Sequence, residues 1–375
     1  MWLTALALLD VFEAKEWFEN KREDAFLSLD SVQTDSIVPP IPLLPPPLID
    51  HSVPDSFPCL RAALKTADST IVRIVHYGDS QIEEDRISMT IRRYLQGKYG
   101  GHGVGLIPLF QSIPTITLDQ RTFPKPAQRY LVYGPQSLRS DTSLYGFMGQ
   151  VSIPDTTTLV TLRPRHPKES EGTFSRIKVF ADSTYVIPAT DSVRIKGHQA
   201  VYGLSLESST GVIVDNVPMR GCAGYVFTSI DRQQLSRFYQ TEQVKLIILQ
   251  YGGNALPSMS SGRGVSYYVA MMRKNVRYLK QCAPQSDFLF IGPSDMLTLK
   301  DGEWQSMDFL PLMDSELSRM AQQEGIAYFS LYQAMGGKNR MKQWQEKGLA
   351  GEDGIHFYRS GANKAAKMLL EWMKL

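Results

Sequence analysis

Two hydrophobic rhythms divide this chain. In residues 59–109 and again from 219 to the end, short unbroken apolar runs alternate with segments whose apolar positions recur every three or four residues. Thr70–Tyr77, Val244–Gln250, Asp287–Ile291 and Ile326–Ser330 belong to the first kind, and few polar positions interrupt them, as expected of strands covered on both faces. Leu60–Lys65, Ile82–Tyr99, Gln233–Tyr239, Ser266–Cys282, Asp308–Glu324 and Ser360–Lys374 belong to the second and predict helices. In Ile82–Tyr99 the stripe is Ile82, Ile87, Ile91 and Leu95, with Glu83, Glu84 and Asp85 expected to favour the start of the helix by their charge. Strands alternating with helices imply right-handed crossovers and a parallel sheet, hence an α/β fold.

Between about 110 and 218 the helical period disappears. Tyr130–Tyr133, Gly149–Ile153, Thr158–Leu162, Ile177–Ala181, Ser192–Ile195 and Gly211–Val214 are short runs rich in β-branched and aromatic residues, separated by turn residues. That spacing predicts an antiparallel β-sandwich inserted into the α/β domain. Ahead of both, residues 1–30 read as an amphipathic helix or as the remnant of an export signal or anchor. Residues 31–58 hold eight prolines, which strip out backbone donors and favour an extended, semi-rigid spacer. A spacer between an anchor and a globular body suits an exported, periplasmic or membrane-anchored protein facing the periplasm, although a cytoplasmic linker would look the same.

Composition narrows the function classes. With 375 residues, 43% hydrophobic and 21% charged, the chain holds enough apolar material for a large core. A formal net charge of +2 and no long basic run speak against nucleic acid as a partner. Cys59, Cys222 and Cys282 lack C-x-x-C spacing, so no structural zinc site is expected, and their odd number argues against a disulfide framework while leaving room for one bridge. Nothing in the sequence requires a metal or another cofactor, and nothing in it specifies an oligomeric state.

The chemistry concentrates at loop positions of the α/β part. Gly78-Asp79-Ser80 ends the first strand, Gly252-Gly253-Asn254 follows the strand Val244–Gln250, and Asp353-Gly354-Ile355-His356 precedes the final helix. Carboxyl ends of parallel strands share one edge, so residues distant in sequence meet there. A serine hydroxyl needs a base, and histidine has a suitable pKa near neutrality. His356 is the best placed of the six histidines, and Asp353, three residues earlier, is close enough to hold its tautomer. Donors for an oxyanion are sought in the N–H of Ser80, the N–H of Gly221 in Met219-Arg220-Gly221-Cys222-Ala223-Gly224, and the amide of Asn254. Gln81, Arg86 and Arg220 are candidates for substrate contact, with bracing of the nucleophile loop an equal alternative for Arg86.

Gly78-Asp79-Ser80, Gly221, Gly252-x-Asn254 and Asp353-x-x-His356 resemble the four sequence blocks of the SGNH/GDSL hydrolase superfamily. Two positions depart from the pattern: Gln81 stands where the name-giving motif has leucine, and Arg220 where an asparagine usually precedes the second block's glycine. The resemblance implies a flavodoxin-like three-layer α/β/α sandwich, Ser80 as nucleophile, His356 as base and Asp353 as its orienting acid. It also implies an oxyanion hole formed by Ser80, Gly221 and Asn254. The β-insert resembles the architecture of exported bacterial peptidoglycan O-acetylesterases in that superfamily, where the insert looks like a carbohydrate-binding sandwich. The expected activity is a serine esterase removing acetyl or other short acyl groups from a cell-envelope or other polysaccharide. An O-acyltransferase with the same triad, and a non-catalytic glycan-binding or scaffold protein, are the alternatives.

Overall fold

The computed structural model describes residues 57–140 and 143–375. The helix or export signal expected over residues 1–30, and all but the end of the proline-rich spacer, lie outside the described residues.

Five parallel strands form the central sheet: β1 (Ile71–Gly78), which opens it, then the later strands Gly211–Pro218, Val244–Gln250, Asp287–Ile291 and Ala327–Phe329. Helix α1 (Pro58–Leu64) precedes β1, and α2 (Ser88–Tyr99) follows it. The chain then leaves the sheet to build the insert: β2 (Gly105–Ile107), β3 (Leu118–Phe123), β4 (Gln128–Leu131), β5 (Gln150–Ile153), β6 (Thr158–Pro164), β7 (Arg176–Ala181), β8 (Tyr185–Pro188), β9 (Ser192–Ile195) and β10 (Val201–Glu207). It re-enters as β11 (Gly211–Pro218) and continues through α3 (Arg232–Thr241), β12 (Val244–Gln250), α4 (Gly262–Cys282) and β13 (Asp287–Ile291). A hairpin, β14 (Leu297–Lys300) and β15 (Glu303–Ser306), comes next, followed by α5 (Leu310–Gln323), β16 (Ala327–Phe329), α6 (Leu331–Met335), α7 (Arg340–Glu346) and α8 (Arg359–Met373).

The sheet order is β11-β1-β12-β13-β16. Counted within the sheet, that is 2-1-3-4-5, the flavodoxin-like order, with its switch point beside β1. Along β1 the side chains alternate faces: Val72 and Ile74 pack with α1, α2 and α8, while Val75 and Tyr77 pack with α3, α4 and α5. Covering both faces makes three layers, which is why the strands read as nearly unbroken apolar runs.

Two corrections concern boundaries. Gly211–Val214, expected as a strand of the insert, is the start of β11 and pairs in parallel with β1 throughout, from Ile71 with Gly211 to Gly78 with Pro218. The expected run stopped short of Asp215 and Asn216, which continue the strand; Asp215 is fully buried on Arg73, and Asn216 accepts from Ser88 at 2.8 Å. The insert therefore ends before Gly211, and it begins earlier than residue 110, because β2 pairs with β10. The second correction is the start of the nucleophile helix. Ser80–Asp85 is a 3-10 segment broken at Glu83 and Glu84, and α2 begins only at Ser88. Glu83 and Asp85 consequently sit in no helical first turn; each is held by an arginine instead, Glu83 by Arg220 at 2.7 Å and Asp85 by Arg92 at 2.5 Å.

The insert is an antiparallel sandwich. One sheet runs β4-β5-β10-β7-β8 with β2 also on β10, and the other runs β3-β6-β9. Val160, Leu162 and Ile195 from the small sheet meet Ile177, Val179, Leu204 and Leu206 from the large one in a dry core. A buried polar cluster joins insert to body. Arg73 on β1 donates to both carboxylate oxygens of Asp215 at 3.2 Å, to Ser205 at 3.2 Å and to Glu207 on β10. All four side chains are fully buried. Arg176 and Lys178 on β7 close the far side of the cluster through Glu207 and Glu242.

Candidate active site

Three sheet-edge loops and one distal loop converge at the carboxyl end of β1. Ser80 follows β1 directly, Met219–Gly224 follows β11, and Gly252–Asn254 follows β12. The loop bearing Asp353 and His356 runs from α7 to α8 and is docked by the Leu297 N–H, which donates to the Gly354 carbonyl at 2.9 Å. The β14–β15 hairpin, which the hydrophobic pattern did not reveal, thus supports the histidine loop from beneath.

Ser80, His356 and Asp353 form one hydrogen-bonded line. Ser80 Oγ lies 2.8 Å from His356 Nε2, and His356 Nδ1 lies 2.7 Å from Asp353 Oδ2. The other Asp353 oxygen accepts the backbone N–H groups of Ile355 at 2.9 Å and His356 at 3.0 Å, fixing the loop as a tight turn. Burial opposes ionisation of Asp353, but the His356 hydrogen bond and charge, with those two N–H groups, outweigh it and bring the carboxyl down to about 2. An ionised carboxylate only accepts, so the imidazole proton resides on Nδ1 and Nε2 presents its lone pair to the serine hydroxyl.

The residues around this line anchor it. Gln81 donates to the Ile355 carbonyl at 2.5 Å, and Arg86 donates to the Phe357 carbonyl at 2.9 Å, so the nucleophile turn grips the backbone on both sides of His356. Arg86 also donates to the carbonyls of Ser80 at 2.9 Å and Glu83 at 3.0 Å. The structure corrects the expectation of substrate contact for Gln81, which is buried, and of the two roles open to Arg86 it shows the bracing one, with the guanidinium on three carbonyls. Arg220 pairs with Glu83 across the two loops flanking Ser80 and remains on the wall of a cavity.

Asp79 is a site residue that sequence reasoning overlooked. Its buried carboxylate accepts the Gln81 N–H at 2.9 Å and faces the Asn254 side chain, tying the first and third loops together. Burial pushes its carboxyl up to about 6, against the pull of the Gln81 N–H and the His356 charge. A charged residue placed directly at the carboxyl end of a buried strand was the available signal. Asn254 Nδ2 donates to the Cys222 carbonyl at 3.3 Å, which joins the second and third loops.

The two glycines of the second loop differ in what surrounds them. At Gly224 a Cβ would lie 2.6 Å from the Tyr251 ring, and φ is +94°, so this glycine serves close packing. A Cβ at Gly221 would meet nothing within 4 Å, and that residue is exposed. All three cysteines are free thiols. Among the described residues no group of three or more His, Cys, Asp or Glu is placed to hold a metal ion, and no helix is long and apolar enough to cross a membrane.

With fold and site described, likeness to other proteins is informative. A solved peptidoglycan O-acetylesterase superposes with a TM-score of 0.68 at 20% identity, covering 84% of this chain and 93% of that one. The alignment is longer than the α/β body alone, so the shared fold takes in the insert. Two acetylxylan esterase structures align over less: one with a TM-score of 0.33 at 10% identity, covering 43% of this chain and 80% of that one. The other, from Geobacillus stearothermophilus, has a TM-score of 0.30 at 12% identity and covers 44% and 73%. No protein-family model and no curated protein sequence matches the chain. The class defined by this fold is a three-layer α/β/α sandwich of flavodoxin-like strand order carrying an antiparallel β-insert, a fold shared with that O-acetylesterase.

Proposed function

We propose that this chain is a serine esterase that removes acetyl or other short acyl groups from a polysaccharide through an acyl-Ser80 intermediate. The observation that carries the reading is the unbroken line Ser80 Oγ, His356, Asp353 at the carboxyl edge of a parallel sheet, with both contacts at hydrogen-bond length. Fold likeness to a peptidoglycan O-acetylesterase supports the choice of an acylated glycan as substrate.

In this reading Ser80 Oγ attacks the ester carbonyl while His356 Nε2 takes the hydroxyl proton, and Asp353 stabilises the imidazolium. The tetrahedral oxyanion is met by the N–H groups of Ser80 and Gly221 and by the Asn254 amide. Collapse breaks the bond to the sugar oxygen, which leaves with the proton from His356. Water, deprotonated by the same imidazole, then cleaves the acyl-serine, releasing the carboxylic acid and restoring the hydroxyl. An exported or envelope-tethered location, suggested by the N-terminal stretch, belongs to the same proposal.

The test is acetate release from O-acetylated peptidoglycan and from acetylated xylan, together with fluorophosphonate labelling, in wild type and Ser80→Ala. Labelling should vanish in the variant, and turnover on the better substrate should fall by about 10³-fold or more. Equal acetate release by Ser80→Ala, or none by the wild type on any acetyl ester, overturns the proposal.

A further inference from the structure

Between the insert and the α/β body lies a cavity of about 540 Å³. Ser80, Asp353 and His356 do not line it, yet it adjoins them: Glu83, Arg220 and Gly221, from the two loops flanking Ser80, form part of its wall. Its interior is largely apolar, with Leu106, Leu118, Leu131 and Met148 among the lining residues.

Four arginines and two carboxylates reach this cavity: Arg92, Arg129, Arg139 and Arg220, with Glu83 and Asp85. The carboxylates are already committed, Asp85 to Arg92 and Glu83 to Arg220. Arg129 and Arg139 are left with no carboxylate within 4.0 Å among the described residues. Arg129 donates to Gln150 at 2.9 Å, stands over the Phe110 ring at 5.7 Å, and has a buried Nε with no hydrogen-bond partner. Arg139 donates only to backbone carbonyls, those of Leu131 at 3.2 Å and Gly134 at 3.0 Å. Burial pushes both guanidiniums below their ordinary pKa. A half-buried cation without a counter-charge is costly, and two such cations lining one largely apolar cavity make a place where an anion is favourable. Guanidinium matches carboxylate geometry, and the Phe110 and Tyr133 rings beside it suit the faces of a sugar.

We propose that this cavity binds a carboxylate borne by the glycan, with Arg129 and Arg139 as its counter-charges, so that the preferred substrate is an acidic acylated sugar chain. The assignment rests on the esterase reading of Ser80 and extends it from reaction to substrate class. The carboxylate has two natural sources, an ether-linked lactyl group or the oxidised C6 of a uronic acid. A neutral acetylated glycan would bring no counter-charge to the two arginines.

The experiment is equilibrium binding by NMR titration to full-length Ser80→Ala protein. Its probes are N-acetylmuramic acid against N-acetylglucosamine, and glucuronic acid against glucose. At least one acid should bind tenfold or more tightly than its neutral counterpart, and which one does so identifies the source. The discrimination should fall to within twofold in Arg129→Gln/Arg139→Gln and weaken as salt rises. Equal binding of acids and neutral sugars by the parent protein overturns the inference and needs no further variant. So does discrimination that persists in the double variant. Fluorophosphonate labelling of the wild type is run alongside. Labelling without acid discrimination removes the cavity assignment alone, whereas discrimination without labelling removes the esterase reading and leaves the binding site.

Discussion

Arg86 offers the sharpest check on how this site is held. Its guanidinium joins three carbonyls, those of Ser80, Glu83 and Phe357, at 2.9, 3.0 and 2.9 Å. One side chain thereby couples the nucleophile turn to the residue just after the base. Arg86→Ala removes all three bonds. At about 1.5–3 kcal/mol for a hydrogen bond to a charged group, simple addition would reach about 9 kcal/mol. Arg86 is only half-buried, however, so water can reach the released carbonyls, and we expect about 2–4 kcal/mol of lost stability. The functional effect should be larger in proportion. Ser80 and His356 lie 276 residues apart in sequence and meet through a single 2.8 Å contact. A displacement of about 1 Å at such a contact costs on the order of 10²-fold in rate. The assay is kcat and KM on 4-nitrophenyl acetate with a thermal melt: kcat should fall by about 10²-fold with KM little changed. Arg86→Lys should recover only part, because an ammonium cannot fork to three carbonyls. Wild-type kcat in Arg86→Ala would refute the argument that this side chain positions the serine.

Other expectations follow from buried charge and close packing. The folded pKa of Asp79, about 6, lies above its unfolded value, so the carboxyl favours the fold while protonated and that contribution fades as pH rises through the window from about 4 to 6. Asp79→Asn keeps an oxygen for the Gln81 N–H and should remove about 3 kcal/mol of pH dependence from urea midpoints in that window; an unchanged pH slope would contradict this. Arg73→Met leaves Asp215 buried without its cation and Glu207 with Arg176 alone, and should cost about 3–5 kcal/mol, read as a lowered denaturation midpoint; a midpoint equal to wild type would mean the cluster does not hold the insert to the body. Gly224→Ala should destabilise the fold more than Gly221→Ala, because only the former meets the Tyr251 ring, and melts of the two single variants compare them directly.

Much of the α/β body was legible because its signals are local. The strands at Val244–Gln250 and Asp287–Ile291 match the hydrophobic runs residue for residue, since strands covered on both faces must be apolar throughout. Asp353 and His356 are three residues apart in one turn, so their pairing is a short-range fact. β11 was misplaced because its polar residues are neutralised by partners elsewhere in the chain: Arg73 and the Leu106 N–H meet Asp215, and Ser88 meets Asn216. The hydrophobic pattern counts polarity but not the counter-charge that makes polarity buriable. The helix expected from Ile82 failed for a related reason. Glu83 and Asp85 each gain an arginine partner, and the turn bends to reach them, with φ positive at Glu84 and Asp85.

The sequence by itself therefore determined the α/β alternation, the antiparallel character of the insert, and which serine, histidine and acid stand in loops at the sheet edge. Periodicity and residue chemistry are local properties, and these features depend on little else. Only the tertiary structure decided that β11 completes the 2-1-3-4-5 sheet, that Gln81 and Arg86 grip the backbone on either side of His356, and that Arg129 and Arg139 share a cavity with no carboxylate within 4.0 Å of either among the described residues. The grip on the backbone around His356 alone spans 274 residues for Gln81 and 271 for Arg86. Nothing in a residue's neighbours along the chain records what will stand opposite it once the sheet and the insert have closed.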